Sequence, residues 1–255
     1  MAHIKDIKYF NTDNTVQKSG SIFSTKEMYE MAHTSTGKAT FLNDAYSKRR
    51  MYRYDNNHLA DYLNFTERNE FPILNPYNGT TDFEVLSYKE RKKLDGKGQA
   101  IHFFMYDDLF RCAVWDKLEQ TTYSIRKFET FFAPDFSLFV DRPTPVNKIN
   151  IYRSRFVAAY WQYCGYNVIP TASWSDADSF EYCFEGLPIH SVIAVCGVGV
   201  NWCPAAYELW LYGIRQIEER LSPTLIFVYG GERDIPNIHT PIKYIQDNIT
   251  KFHRK

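Results

Sequence analysis

This sequence lacks an excess of charge of either sign: 30 Lys and Arg stand against 30 Asp and Glu. Neither half of the chain is basic, which speaks against a protein that wraps duplex nucleic acid through a cationic face. It is also poor in cysteine pattern. Its five cysteines, Cys112, Cys164, Cys183, Cys196 and Cys203, are odd in number and form no CxxC pair. A disulfide framework and a structural zinc site are therefore not expected, and a reducing compartment is. The seven histidines show no HxH, HExxH or HxxxH spacing. GxSxG and the phosphate-loop motif are absent as well. No apolar run reaches the length that spans a bilayer, and the first residues lack the apolar segment of a secretory signal. The expectation is a soluble cytoplasmic protein without a membrane partner.

What the chain does have is a train of apolar runs separated by helical spacing. The runs are Ala100–Tyr106, Thr130–Ala133, Asn167–Thr171, Ser191–Cys196 and Thr224–Tyr229. Between them, apolar residues recur at three- and four-residue steps over Trp115–Phe128, Pro143–Tyr163 and Cys203–Leu221. A shorter helix is expected from Ser175-Asp176 to Phe184, and a terminal one over Pro241–Phe252. Strands alternating with helices imply a parallel α/β sheet. The fold class expected is a TIM-like or partial barrel, with an open doubly wound sheet as the alternative. Residues 1–40 read as an N-terminal arm, 41–98 as a mostly helical or irregular extension packed on the core, and 99–255 as the α/β core.

In parallel α/β proteins, ligands gather at the carboxyl ends of the strands. Each run here ends in acidic, small or glycine residues. Asp107 and Asp108 follow the first, Asp135 the second, Asp176 the third. If the strands are neighbours, these carboxylates converge. Asp135, Asp107 and Asp108 are therefore the candidate catalytic residues, as nucleophile, general acid/base or metal ligand. Asp176 reads as a helix cap. Asp135 and Asp107 are the candidate ligands for a divalent cation, Mg²⁺ or Mn²⁺. Gly197-Val198-Gly199 and Tyr229-Gly230 mark two further strand ends where a phosphate or base could approach the backbone. Trp174, in the loop after the third run, is the candidate stacking residue, and Arg153 and Arg155 the candidate anion-binding residues. His102, inside a strand, reads as a core residue. Lys48, Arg49, Arg50 and Arg53 at helical spacing, with Arg91-Lys92-Lys93, form a candidate nucleic-acid-binding set.

Several of these stretches carry a family resemblance. Ala133-Pro134-Asp135-Phe136-Ser137-Leu138, Tyr152-Arg153-Ser154-Arg155, Ala159-Tyr160-Trp161-Gln162 and Val168-Ile169-Pro170-Thr171 are among them, followed by Ser173-Trp174-Ser175-Asp176 and Val228-Tyr229-Gly230. Their order resembles domain-of-unknown-function family 4417 over roughly residues 85–232. The resemblance implies a phage, prophage or plasmid setting in Firmicutes, and no activity. A fainter similarity runs to the tRNA-guanine transglycosylase barrels, whose cysteine–histidine zinc cluster has no counterpart here. Three functions are open at this point. The first is an enzyme of nucleotide or nucleic-acid metabolism, by phosphoryl or glycosidic-bond chemistry. The second is a non-catalytic protein that captures a nucleotide, a host protein or a phage protein, with an arm suited to a homo-oligomer contact. The third is a replication or regulatory DNA-binding protein.

Overall fold

The computed structural model describes residues 53–246 in full and the backbone of two further short strands, β1 (Thr15–Lys18) and β2 (Ser21–Ser24), which pair antiparallel. The chain separates into two compact units, residues 1–58 and 59–255. The remaining strands belong to the second unit. They are β3 (Glu84–Ser87), β4 (Gln99–His102), β5 (Thr130–Phe132), β6 (Asn167–Ile169), β7 (Thr171–Ala172), β8 (Val192–Cys196), β9 (Leu225–Tyr229) and β10 (Ile242–Ile245). They form two four-stranded parallel sheets, β3-β4-β5-β6 and β10-β9-β8-β7.

The chain passes from one sheet to the other at Pro170. Proline has no N–H to give to a ladder, so the strand breaks there. Its carbonyl still accepts Ala194 N at 2.8 Å, while Ile169 O accepts Ala133 N at 2.9 Å. The two sheets are thus continuous in sequence and stitched on both sides of one proline.

Period-two alternation buries both faces, as parallel strands demand. Ile101, Phe131, Val168, Ile193, Ile226 and Val228 face the helices. Ala100, Phe132, Ile169, Ala194, Phe227 and Tyr229 face inward and form a second core. Across that inner core, rings of the first sheet touch rings of the second: Phe132 lies 5.6 Å and Phe83 5.8 Å from Phe227, and Phe104 lies 4.9 Å from Tyr229. The sheets therefore turn one face towards each other. The Lys243 ammonium on β10 reaches Thr81 O ahead of β3 at 2.7 Å. Among the described residues no ladder joins β3 to β10, so the eight-strand closure of a TIM-like barrel is not formed. The arrangement agrees with the open-sheet alternative.

Four α-helices are described: α1 (Arg111–Val114), α2 (Leu118–Ser124), α3 (Thr144–Tyr163) and α4 (Pro204–Leu221). Prolines open α3 and α4 in the first turn, where a missing N–H costs nothing. Ser222, at φ 45°, ends α4. Trp161 on α3 is fully buried, and its indole N–H is satisfied by Thr122 Oγ1 at 3.0 Å.

Three sequence expectations change. The helix expected over Trp115–Phe128 is shortened to α2, Leu118–Ser124, because the chain turns at 115–117 and again at 125–127, and α1 lies upstream of the expected range. The helix expected over Pro241–Phe252 begins instead as β10: Ile242 and Tyr244 pack on the outer core and Ile245 on the inner one, a period of two, as β10 pairs with β9. The parallel sheet also starts upstream of residue 99, because β3 pairs with β4.

Candidate functional site

β4 and β5 are parallel neighbours, so the loops leaving their carboxyl ends lie side by side. Asp107 sits on a 3₁₀ turn (Asp107–Leu109) after β4. Asp135 follows Pro134 after β5. The two carboxylates come within electrostatic reach of each other. The sequence placed them together, and the fold does so as well.

Their surroundings separate them chemically. Asp107 is a locked acceptor. Its carboxylate takes Ser137 N at 3.1 Å and Ser137 Oγ at 2.9 Å, which ties the two loops. Burial pushes its pKa above the ordinary carboxylate value, opposed by the Ser137 bonds and the charges of Arg111 and Arg153. Asp135 keeps some exposed surface, while its carboxyl is enclosed by protein atoms. That enclosure, reinforced by the Asp107 charge, pushes Asp135 up to about 7, against the opposing pull of a Ser173 hydrogen bond and the Arg155 charge. One acid is held in place and the other is poised near neutrality. Split pairs of this kind divide acid and base duties in carboxylate enzymes.

The arginines stand behind the acids. Arg155 is 2 % exposed. Its Nη1 and Nη2 donate to Thr171 O and Cys183 O, each at 2.9 Å, while buried Nε finds no acceptor. Burial lowers its pKa to about 10, opposed by Cys183 and Asp135. Arg153 bonds Asn150 Oδ1 at 3.2 Å and lies over Trp115, and its charge reaches Asp107. Two asparagines of α3 hold the loop after β5. Asn150 Nδ2 donates to Ser137 O at 2.7 Å, and Asn147 exchanges bonds with the backbone of Phe139 at 2.8 and 2.9 Å. Ser137, Ser173, Asn147 and Asn150 were missed as site residues by sequence reasoning. The signal available was the three-residue spacing of Asn147 and Asn150, which puts both on one helix face.

Other expected site residues are placed elsewhere or otherwise engaged. Asp108 is exposed on the same turn as Asp107. Asp176 is a turn residue, its Oδ1 accepting Ser179 N at 2.9 Å. Trp174 does not stand free. A Cβ on Gly213 of α4 would fall 2.1 Å from its indole, and its ring meets Phe180 and Phe184. The glycine of α4 is the structural reason for that tryptophan. Tyr229 is 4 % exposed and stacked on Phe104, so its ring is core.

Gly197 and Gly230 do not offer their amides to a ligand. Gly197 N donates to Tyr229 O at 2.7 Å and Gly230 N to Ile245 O at 3.0 Å. What the glycines admit is Arg233. Its guanidinium donates to Gly197 O, to Gly230 O at 2.9 Å and to Gly231 O at 3.4 Å. A Cβ at Gly197 would lie 2.5 Å from Arg233 Nη1. Gly199, at φ +80°, has nothing within 4 Å of where a Cβ would stand, so the backbone is open there.

Arg91, Lys92 and Lys93 lie on a 3₁₀ turn after β3. Arg91 folds back over Tyr88, 3.8 Å from the ring centre, and the two lysines are exposed. Lys48, Arg49 and Arg50 lie outside the described residues. Among the described residues no group of three or more His, Cys, Asp or Glu could hold a metal ion. Asp107 and Asp135 alone would leave most of a cation's shell to water or to substrate oxygens. All five cysteines are free thiols, and burial pushes the Cys183 thiol up to about 12. No helix among the described residues is long and apolar enough to cross a membrane.

Together these features define an open parallel α/β protein with an unequal acid pair at adjacent strand ends. The chain belongs to the family described as "Domain of unknown function (DUF4417)", whose model matches residues 63–246 and so contains both acids. It is similar to the "Gene 1 protein" of Mycobacterium phage L5, at 37% identity over 179 residues, covering 68% of this chain and 76% of that protein. It is also similar to the "Gene 1 protein" of Mycobacterium phage D29, at 34% identity over 144 residues, or 56% of this chain and 53% of that protein. The chain thus spans about half the length of the second relative. No solved structure matches it. The domain is phage-associated. The relatives are mycobacteriophage proteins, so nothing here supports the expected Firmicutes setting.

Proposed function

We propose that this chain acts on nucleotides or nucleic acid by acid/base chemistry at a glycosidic bond, with Asp135 and Asp107 as the reacting pair. One observation carries the reading: adjacent strand ends bring an enclosed Asp135, whose pKa that enclosure pushes up to about 7, beside a carboxylate fixed by Ser137. A carboxylic acid that is partly protonated at pH 7 gives its proton to a leaving base. The fixed carboxylate faces the positive charge that develops on the sugar, or attacks it. Arg111, Arg153 and Arg155 supply the cationic surroundings that a phosphate-bearing substrate favours. Phosphoryl transfer, with a Mg²⁺ or Mn²⁺ ion on Asp135 and Asp107, is the neighbouring chemistry. The five free thiols suit a reducing cytoplasm.

The test is to incubate the full chain with nucleosides, nucleotides, single strands and duplexes, with and without Mg²⁺, and to look for released base or phosphate by mass spectrometry. Asp135→Asn should lower the rate by about 10²–10⁴-fold, the range of general acid/base assistance. Activity that survives the substitution sinks the proposal.

A second reading has its own support. The bonds from Ser137 to Asp107 also serve as a plain tie between two loops. In that reading the protein captures a nucleotide or a host protein without chemistry. The ligand then returns unchanged, and binding survives Asp135→Asn.

A further inference from the structure

The carboxyl ends of β4, β8 and β9 meet around one mouth. His102, at the end of β4, lies with its ring 4.6 Å from that of Tyr229, at the end of β9. Tyr229 O in turn accepts Gly197 N, just past β8. Two large exposed rings lie on the loops that leave two of these strands. Tyr106, just past β4, is 78% exposed, and Trp202, just past β8, is 81% exposed. Neither side chain makes a ring contact or hydrogen bond among the described residues. The other tryptophans are all enclosed: Trp115, Trp161 and Trp210 are 3%, 0% and 4% exposed, and Trp174 packs on Gly213. A bare indole costs hydrophobic stabilisation and is useful as a platform.

Beside the Tyr229 ring lies a further donor. His102 is 2% exposed. Its Nδ1 accepts Phe104 N at 3.2 Å, so the neutral ring carries its proton on Nε2. No acceptor for that Nε2–H occurs among the described residues, so it is free to donate to a ligand.

We infer that this mouth takes an unstacked nucleobase, with Trp202 and Tyr106 as stacking surfaces and His102 Nε2–H as donor to a base carbonyl. The inference rests on the function proposed above and names the form of its substrate. Flat apolar faces with one unpaired donor fit a base better than a peptide, and stacking needs little net charge, as in this neutral chain. A free nucleotide and a single strand present the same chemistry.

The experiment titrates the full chain with oligothymidylate, oligoadenylate and thymidine monophosphate. It follows tryptophan emission, and the anisotropy of labelled strands. Saturable quenching by the oligonucleotides alone identifies a single strand as ligand, and quenching by the monophosphate as well identifies the nucleotide. Trp202→Ala and Tyr106→Ala, on largely exposed sites, should each weaken binding at least about fivefold, the lower end for one stacked base. His102→Phe should erase a preference for thymine over adenine, which lacks a carbonyl. Wild type that binds none of these, or Trp202→Ala and Tyr106→Ala binding as wild type does, overturns the inference. If binding depends on Trp202 but no bond is ever cut, the inference stands and the glycosidic reading falls. If cleavage depends on Asp135 while KM ignores both rings, the reverse holds.

Discussion

The sharpest prediction concerns the stability of Asp135→Asn as a function of pH. In the unfolded chain Asp135 titrates near 3.8, and in the fold it is pushed up to about 7. The folded state therefore holds this proton more tightly. The stability associated with it is fully present below the unfolded value and is lost as pH rises through about 7. Three pH units at 1.36 kcal/mol each give roughly 4 kcal/mol, and the solvent that reaches Asp135 reduces this to about 2–4 kcal/mol. Asparagine keeps the shape and an acceptor for Ser173 but never ionises. Denaturant melts of wild type and variant at steps between about pH 4 and pH 8 would show wild type weakening relative to Asp135→Asn, with the difference levelling off above about pH 8. Asp107→Asn provides the control. Removing the neighbouring charge lets Asp135 ionise earlier, so the inflection moves to lower pH. Parallel stability curves for wild type and Asp135→Asn would refute the reasoning, because they would mean that Asp135 titrates like an exposed carboxylate.

Three further outcomes follow from the geometry. Arg155→Met removes a charge that holds Asp135 down and leaves Thr171 O and Cys183 O without donors. The Asp135 inflection should move up, and urea melts should show a loss of about 2–4 kcal/mol. Gly197→Ala drives a methyl into the Arg233 guanidinium, for a cost of about 1–3 kcal/mol, and Arg233→Ala in the same chain should recover part of it. Trp174→Ala should cost about 3–5 kcal/mol in thermal or urea unfolding, as a ring lost from between α4 and Phe180 does, and leave nucleotide affinity per folded molecule unchanged.

Much of the fold was legible in the sequence because its signals are local. The apolar runs gave β4, β5, β8 and β9, and Pro204 and Pro223 bracketed α4. Parallel order then required the residues after adjacent strands to meet, which is why Asp107 and Asp135 could be paired before any coordinates existed. The edge strands were harder. β10 reads as a helix because Ile242, Ile245 and Ile249 also fit a 3.6-residue period, and only pairing with β9 selects the extended chain. The switch between sheets at Pro170 depends on which neighbour each side of the proline meets.

By itself, then, the sequence determined an α/β chain of parallel strands and the rim on which its acids gather, because periodicity and strand direction are properties of short segments. The tertiary structure alone decided which tryptophan is free. Trp174 and Trp202 both sit in loops after strands, but Gly213, distant in sequence, leaves a socket for the first, while the second is 81% exposed. It also decided that the glycines admit Arg233 and that enclosure pushes Asp135 up to about 7. Close approach and enclosure depend on what the rest of the chain brings alongside, and no local pattern carries that information.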